Sequence, residues 1–203
     1  MSQPLKVEAP AVVGAPFGGG YYAGLIRIGE AIHALIVAPK ATGETIAAWD
    51  VADEPDEIPG AGSYFDGLAN TNAMAEAGLH LGKWAQELEI AGHTDWHIPS
   101  RDELEICYRA FKPTARDNYR FSGDNPSAVP VTWPYASQTP AQTSVADFQE
   151  GGAEAFEARW YWTSTQYSDS DAWDQYFGNG DQFYYDKSYE GRARAVRTIQ
   201  LTA

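Results

Sequence analysis

The residues best suited to chemistry crowd into one stretch near the end of the sequence, residues 167–185. Tyr167, Tyr176 and Tyr184, with Phe183 and Tyr185 beside them, are flat rings with a polar tip, able to stack on sugar faces and to hydrogen-bond at the rim. Asp169, Asp171, Asp174 and Asp181 offer hard carboxylate oxygens of the kind calcium prefers, and Asn179 sits among them in a Gly-Asn-Gly-Asp turn. These eight residues, Tyr167, Asp169, Asp171, Asp174, Tyr176, Asn179, Asp181 and Tyr184, are the expected ligand-binding set. The carboxylates lack calcium-loop spacing, and Ser168-Asp-Ser-Asp171 reads as a solvated turn. No cofactor is expected, calcium being the sole candidate.

Other reactive types are weaker candidates. His33 falls in an apolar strand pattern, and His93 and His97 are separated from helical pairing by Gly92 and Pro99, so zinc is not supported. Cys107 is the single cysteine and lies on an apolar helical stripe, where a thiol acts as a small hydrophobe with a raised pKa. No Ser-His-Asp order or phosphate-cradling glycine loop is present, and no carboxylate pair stands out, so an enzyme is not expected. Arg192, Arg194 and Arg197 recur near the end, and pairing of the first two with the aspartates is the expectation.

Fourteen basic against 28 acidic residues give a formal charge of −14, which disfavours nucleic acid and anionic membranes. The 203 residues suffice for one large domain, and an aromatic share of 13% indicates ordered structure. No apolar run reaches membrane-spanning length, and the first eight residues lack a signal-peptide core, so cytoplasmic synthesis without membrane insertion is expected.

The elements that must position these residues read as a mixture of α and β. Residues 1–20 form an extended Pro- and Gly-rich arm for docking or oligomer contact, and residues 21–203 form the domain. A hairpin runs over residues 24–38 with its turn at Gly29-Glu30, and residues 45–49 form a third strand anchored by Trp49. Residues 66–77 are helix-compatible with Gly78 as the C-cap, and Leu81, Trp84, Ala85 and Leu88 mark a second helix. Ser100 and Glu103 form a capping box for a third, with Leu104, Cys107, Tyr108 and Phe111 as its apolar stripe and Pro113 as its stop. A Pro-rich loop at about 113–142 is expected to lie on the surface. From residue 159 on, short strands form a meander. In its 172–177 strand, alternation puts Trp173, Gln175 and Phe177 toward the core and Ala172, Asp174 and Tyr176 on the other face, with Tyr176 outward.

Taken in order, Asp95-Trp-His-Ile-Pro-Ser-Arg-Asp-Glu-Leu104, Tyr161-Trp-Thr-Ser-Thr165, Ala172-Trp173 with Phe177 and Gly180, Lys187, and Arg192-Ala-Arg-Ala-Val-Arg197 resemble a known family. It is typified by the C-terminal domain of a bacterial collagen-like adhesin and known as domain of unknown function 1566. The resemblance implies an α+β, C-type-lectin-like fold of short antiparallel strands and two to three helices, preceded by the arm. Residues 19–26 and 35–40 look like phage-encoded members. The function implied by the resemblance is that of a non-enzymatic virion protein of a phage tail, baseplate or fibre that binds a host-cell receptor, a glycan or protein. The alternative is a structural virion component whose lectin-like domain contacts other virion proteins. Residues 1–20 would meet other virion proteins, and copies of the chain would associate, a trimer included. The setting is the virion, or alternatively a bacterial cell surface. Sulfatase-activating oxidases share a related fold but use a cysteine pair that Cys107 alone cannot supply. The family's adhesin takes sulfated polysaccharide, for which this chain offers only Arg159, Lys187, Arg192, Arg194 and Arg197. His97 and Ile98 replace the usual Arg and Leu, the first expected to alter a surface or second-layer contact.

Overall fold

A computed structural model of the protein describes residues 7–52 and 55–202. The elements in chain order are β1 (Pro16–Phe17), β2 (Gly20–Ile28), β3 (Ala31–Val37), a four-residue helical turn α1 (Lys40–Gly43), β4 (Glu44–Ala48), α2 (Gly67–Glu76), α3 (His80–Gln86) and α4 (Arg101–Phe111). After a single 3-10 turn, Ala146–Phe148, the chain continues through β5 (Trp160–Gln166), β6 (Asp171–Tyr176), β7 (Gln182–Asp186), β8 (Glu190–Arg194) and β9 (Val196–Gln200). The architecture is mixed α and β, dominated by two sheets. The first has the order β1-β2-β3-β9 and the second β4-β8-β5-β6-β7. Pairing is antiparallel except between β5 and β8, which meet in parallel at Tyr161 and Arg192.

Local sequence accounts for the helices. Asp66 caps α2 by accepting from the Ala69 N–H at 3.0 Å, and Gly78 comes after it with a φ of 97°, the left-handed geometry that favours glycine. At the start of α4 both halves of the capping box form. The Ser100 Oγ accepts from the Glu103 N–H at 3.3 Å, and the Glu103 Oε2 accepts from the Ser100 N–H at 2.7 Å. Leu104, Cys107, Tyr108 and Phe111 are all buried, as their spacing predicts. Burial pushes the Cys107 thiol well up, which keeps it in the unreactive thiol form.

Helix α4 lies between the sheets, and the main core forms around it from Ile26, Leu35, Phe148, Phe156, Tyr161 and Phe177. A second core lies under α2 and α3, where Trp49, Met74, Leu81, Ile98, Trp162 and Ala172 meet. Sheet two is therefore covered over part of both faces, and alternation along its strands sorts side chains between two interiors.

Four expectations change. The arm is continuous with the domain from Val7 on: β1 pairs with β2, Val13 and Phe17 pack on the cores, and the Gly18 carbonyl accepts from Arg197 at 2.8 Å. Residues 1–6 lie outside the described residues. The Pro-rich loop is irregular, yet it is pinned into the body. Asn125 donates to the Asp102 carbonyl and to Glu105, Tyr135 is buried against Tyr108, and Ala128 bridges to Ile26. Proline removes ladder donors, so no regular strand forms, and isolated backbone bonds such as Val129 N–H to the Leu25 carbonyl at 3.0 Å join the side-chain ties. His97 is fully buried, its Nε2 3.2 Å from Glu103 Oε1, so of the surface or second-layer contact expected for it the surface one is excluded. Burial alone would lower the imidazole pKa, but the adjacent Glu103 carboxylate outweighs it and the net shift is upward. Trp173, assigned to the core face, is only partly covered, while Asp174 on the opposite face is 4% exposed.

Candidate functional site

The two faces of sheet two carry two different aromatic surfaces, and the predicted residues divide between them. On the α4 side, the Arg101 backbone N–H donates to Thr165 Oγ1 at 3.0 Å, locking the helix start to β5. The Arg101 guanidinium then lies 5.1 Å from the Trp173 ring centre and 5.3 Å from that of Tyr64. Trp173 sits at the open end of the core face, beyond the reach of the apolar stripe of α4. Tyr167 and Tyr184 stand edge-on to it at 5.4 and 5.8 Å and stack on one another at 3.7 Å with planes 5° apart. Tyr64, Tyr167 and Phe183 are between 43% and 49% exposed, so this is a contiguous aromatic platform open to solvent.

On the other face, Trp160, Trp162, Asp174, Tyr185, Tyr189 and Glu190 surround a cavity of about 180 Å³. Strand register assembles it: Trp162 is the cross-strand partner of Asp174, and Trp160 that of Tyr176. Gly191 is required here because a Cβ would lie 2.5 Å from the Trp162 indole nitrogen. That indole therefore lies close over β8, its N–H donating to the Ala47 carbonyl at 3.2 Å. The rings of Tyr185 and Tyr189 meet edge to face at 4.9 Å. Burial pushes the Asp174 carboxyl up to about 8, the nearby Asp181 adding to the shift, and its Oδ1 has no hydrogen-bond partner among the described residues.

The eight predicted residues thus do not form one site. Tyr167 and Tyr184 belong to the platform, and Asp174 lies in the cavity with Tyr176 next to Trp160 at 5.3 Å. Asn179 and Asp181 hold their turn: the Asn179 Oδ1 accepts from the Asp181 N–H at 3.1 Å. Asp169 and Asp171 are occupied by their own loop, where the Asp171 Oδ2 accepts from the Ser168 and Ser170 hydroxyls at 3.1 and 2.9 Å. The Asp169 Oδ1 accepts from the Ser170 N–H at 2.8 Å. Among the described residues no three His, Cys, Asp or Glu converge as a metal would need. Sequence reasoning passed over Trp160, Trp162, Tyr189 and Glu190, although the period-2 spacing of Trp160 and Trp162 puts both on one face.

The arginines are internal struts, and their partners differ from those expected. Arg192 pairs with Glu44 at 2.8 Å and Arg194 with Glu154 at 2.6 Å, not with the aspartates of the turn. Arg197 makes two parallel 2.8 Å bonds to Asp95. Lys187 is buried, donating to the carbonyls of Asp169 at 2.5 Å and Asp56 at 3.3 Å, with its ammonium 4.7 Å from the Trp49 ring centre. Four of the five cations considered as anion receptors are thereby committed to the fold.

With this geometry established, comparison places the chain among known proteins. The family model of the Lcl C-terminal domain matches residues 48–197. No curated protein matches. Among solved structures the chain is similar to a fimbrial protein from Bacteroides ovatus ATCC 8483, with 12% identity and a TM-score of 0.47. That similarity covers 82% of this chain and 36% of the other, so the chain spans about a third of the fimbrial protein's length.

Proposed function

The chain belongs to the Lcl C-terminal domain family, and from this premise we propose that it is a non-enzymatic, adhesin-like surface protein that binds a glycan on a host cell. The observation that carries the reading is the open platform of Trp173, Tyr167 and Tyr184 with Tyr64 at its edge. Rigid rings present large amphipathic area with little entropy to lose, and sugar C–H faces stack on them while hydroxyls reach the phenol rims. Arg101, paired with Asp102 at 3.2 Å, holds the rings in place by its cation–π contact with Trp173.

The C-type-lectin-like fold is part of the proposal, supported by the pairing of the last strand with the early hairpin in one sheet and the meander carried by the other. A virion is the proposed setting, on the resemblance of residues 19–26 and 35–40 to phage-encoded members. No cofactor is needed for stacking recognition. A glycan array probed with the purified protein, then adsorption to intact host cells, tests the reading. Tyr184→Ala is expected to reduce binding about tenfold or more with melting temperature unchanged within a few degrees. Undiminished binding, or a protein that binds no glycan and no cell, refutes the platform.

A further inference from the structure

We propose that the cavity on the far face of sheet two is a second binding site, specific for an organic cation bearing a quaternary or alkylated ammonium group. Four aromatic side chains wall it, Trp160, Trp162, Tyr185 and Tyr189, and ring faces attract cations through their quadrupole, tryptophan most strongly. Among the described residues that line it there is no Lys or Arg, whereas two carboxyl groups, Asp174 and Glu190, are present.

Asp174 is the second feature of the cavity. Its side chain is 4% exposed, it lines the cavity, and its Oδ1 lacks a partner. Buried polar atoms are normally satisfied, and an isolated buried carboxyl is a standing penalty that a cation seated against it would relieve. The space, about 180 Å³, holds a group with the bulk of about six water molecules. A chain of net charge −14 also concentrates cations at its surface. The platform differs, since the group under its rings is Arg101, already ion-paired with Asp102 at 3.2 Å. The two faces therefore select different chemistry, and the cavity does not depend on the glycan reading.

The test titrates choline into the intact protein, monitored by tryptophan fluorescence and calorimetry. In parallel the same is done with 3,3-dimethylbutan-1-ol, the neutral carbon isostere. Choline is expected to saturate the site and the isostere to bind about tenfold more weakly or worse. Asp174→Asn and, independently, Tyr189→Ala are each expected to weaken choline about tenfold or more. Tyr189 is 57% exposed in a turn, so its truncation leaves the fold in place. The proposal is overturned by equal affinity for the isostere, by unchanged affinity in both variants, or by no saturable choline binding up to about 10 mM.

Discussion

A carboxyl group held neutral inside a fold leaves a mark on stability as well as on binding. Asp174 titrates at about 8 in the folded chain against 3.8 for the ordinary group, so above pH 4 the folded state retains a proton that the unfolded state has released. Below about pH 4 both states are protonated and nothing is lost; stability then falls as pH climbs from about 4 to about 8 and stays low beyond. Asp174→Asn removes the titration. Its melting temperature should match the parent's near pH 4 and exceed it at pH 8, by an amount on the order of a few kcal/mol in unfolding free energy, as pH-dependent thermal melts would show. A variant more stable yet unable to hold a cation is the trade expected where a site is left unsatisfied for its ligand.

At the scale of elements, α4 links fold and platform, since its first residue supplies the guanidinium under Trp173. Ser100→Ala removes one half of the capping box and should lower stability by about 1 kcal/mol in a denaturant melt, more if Glu103 is left poorly paired beside His97. It should also weaken glycan binding, because the Arg101 N–H is fixed to Thr165 one residue along. This helix was legible in the sequence down to its cap, because capping and 3.6-residue periodicity are local signals. The β2–β3 hairpin was legible for the same reason. Sheet two was legible only in part. Alternation correctly put Trp173 with Gln175 and Phe177, but the openness of that face depends on where α4 starts and where Tyr64 lies. Nor could the sequence pair Trp162 with Asp174, since that register depends on the irregularity between Trp162 and Gln166. The Pro-rich segment looked peripheral because its ties, side-chain bonds such as Asn125 to Asp102 and isolated backbone bonds such as Val129 to Leu25, follow no period.

For the whole molecule, charge placement decides which glycans can dock. The chain is acidic overall, and Arg192, Arg194, Arg197 and Lys187 are spent on internal partners. Sulfated polysaccharide needs clustered mobile cations, so the protein should pass through a heparin column unretained at about 0.15 M salt and bind neutral or weakly acidic glycans instead. Retention on heparin beyond that salt would overturn this expectation. Val7 and Thr202 meet near the two ends of the described chain, the Val7 N–H donating to Thr202 Oγ1 at 2.9 Å. Among the described residues the first and last are therefore neighbours, and a short Gly-Ser bridge from Thr202 to Val7 would let new termini be cut elsewhere without stretching either sheet. For an engineer this makes the fold a cassette: spliced into a surface turn of an unrelated host, it would enter and leave at a single point.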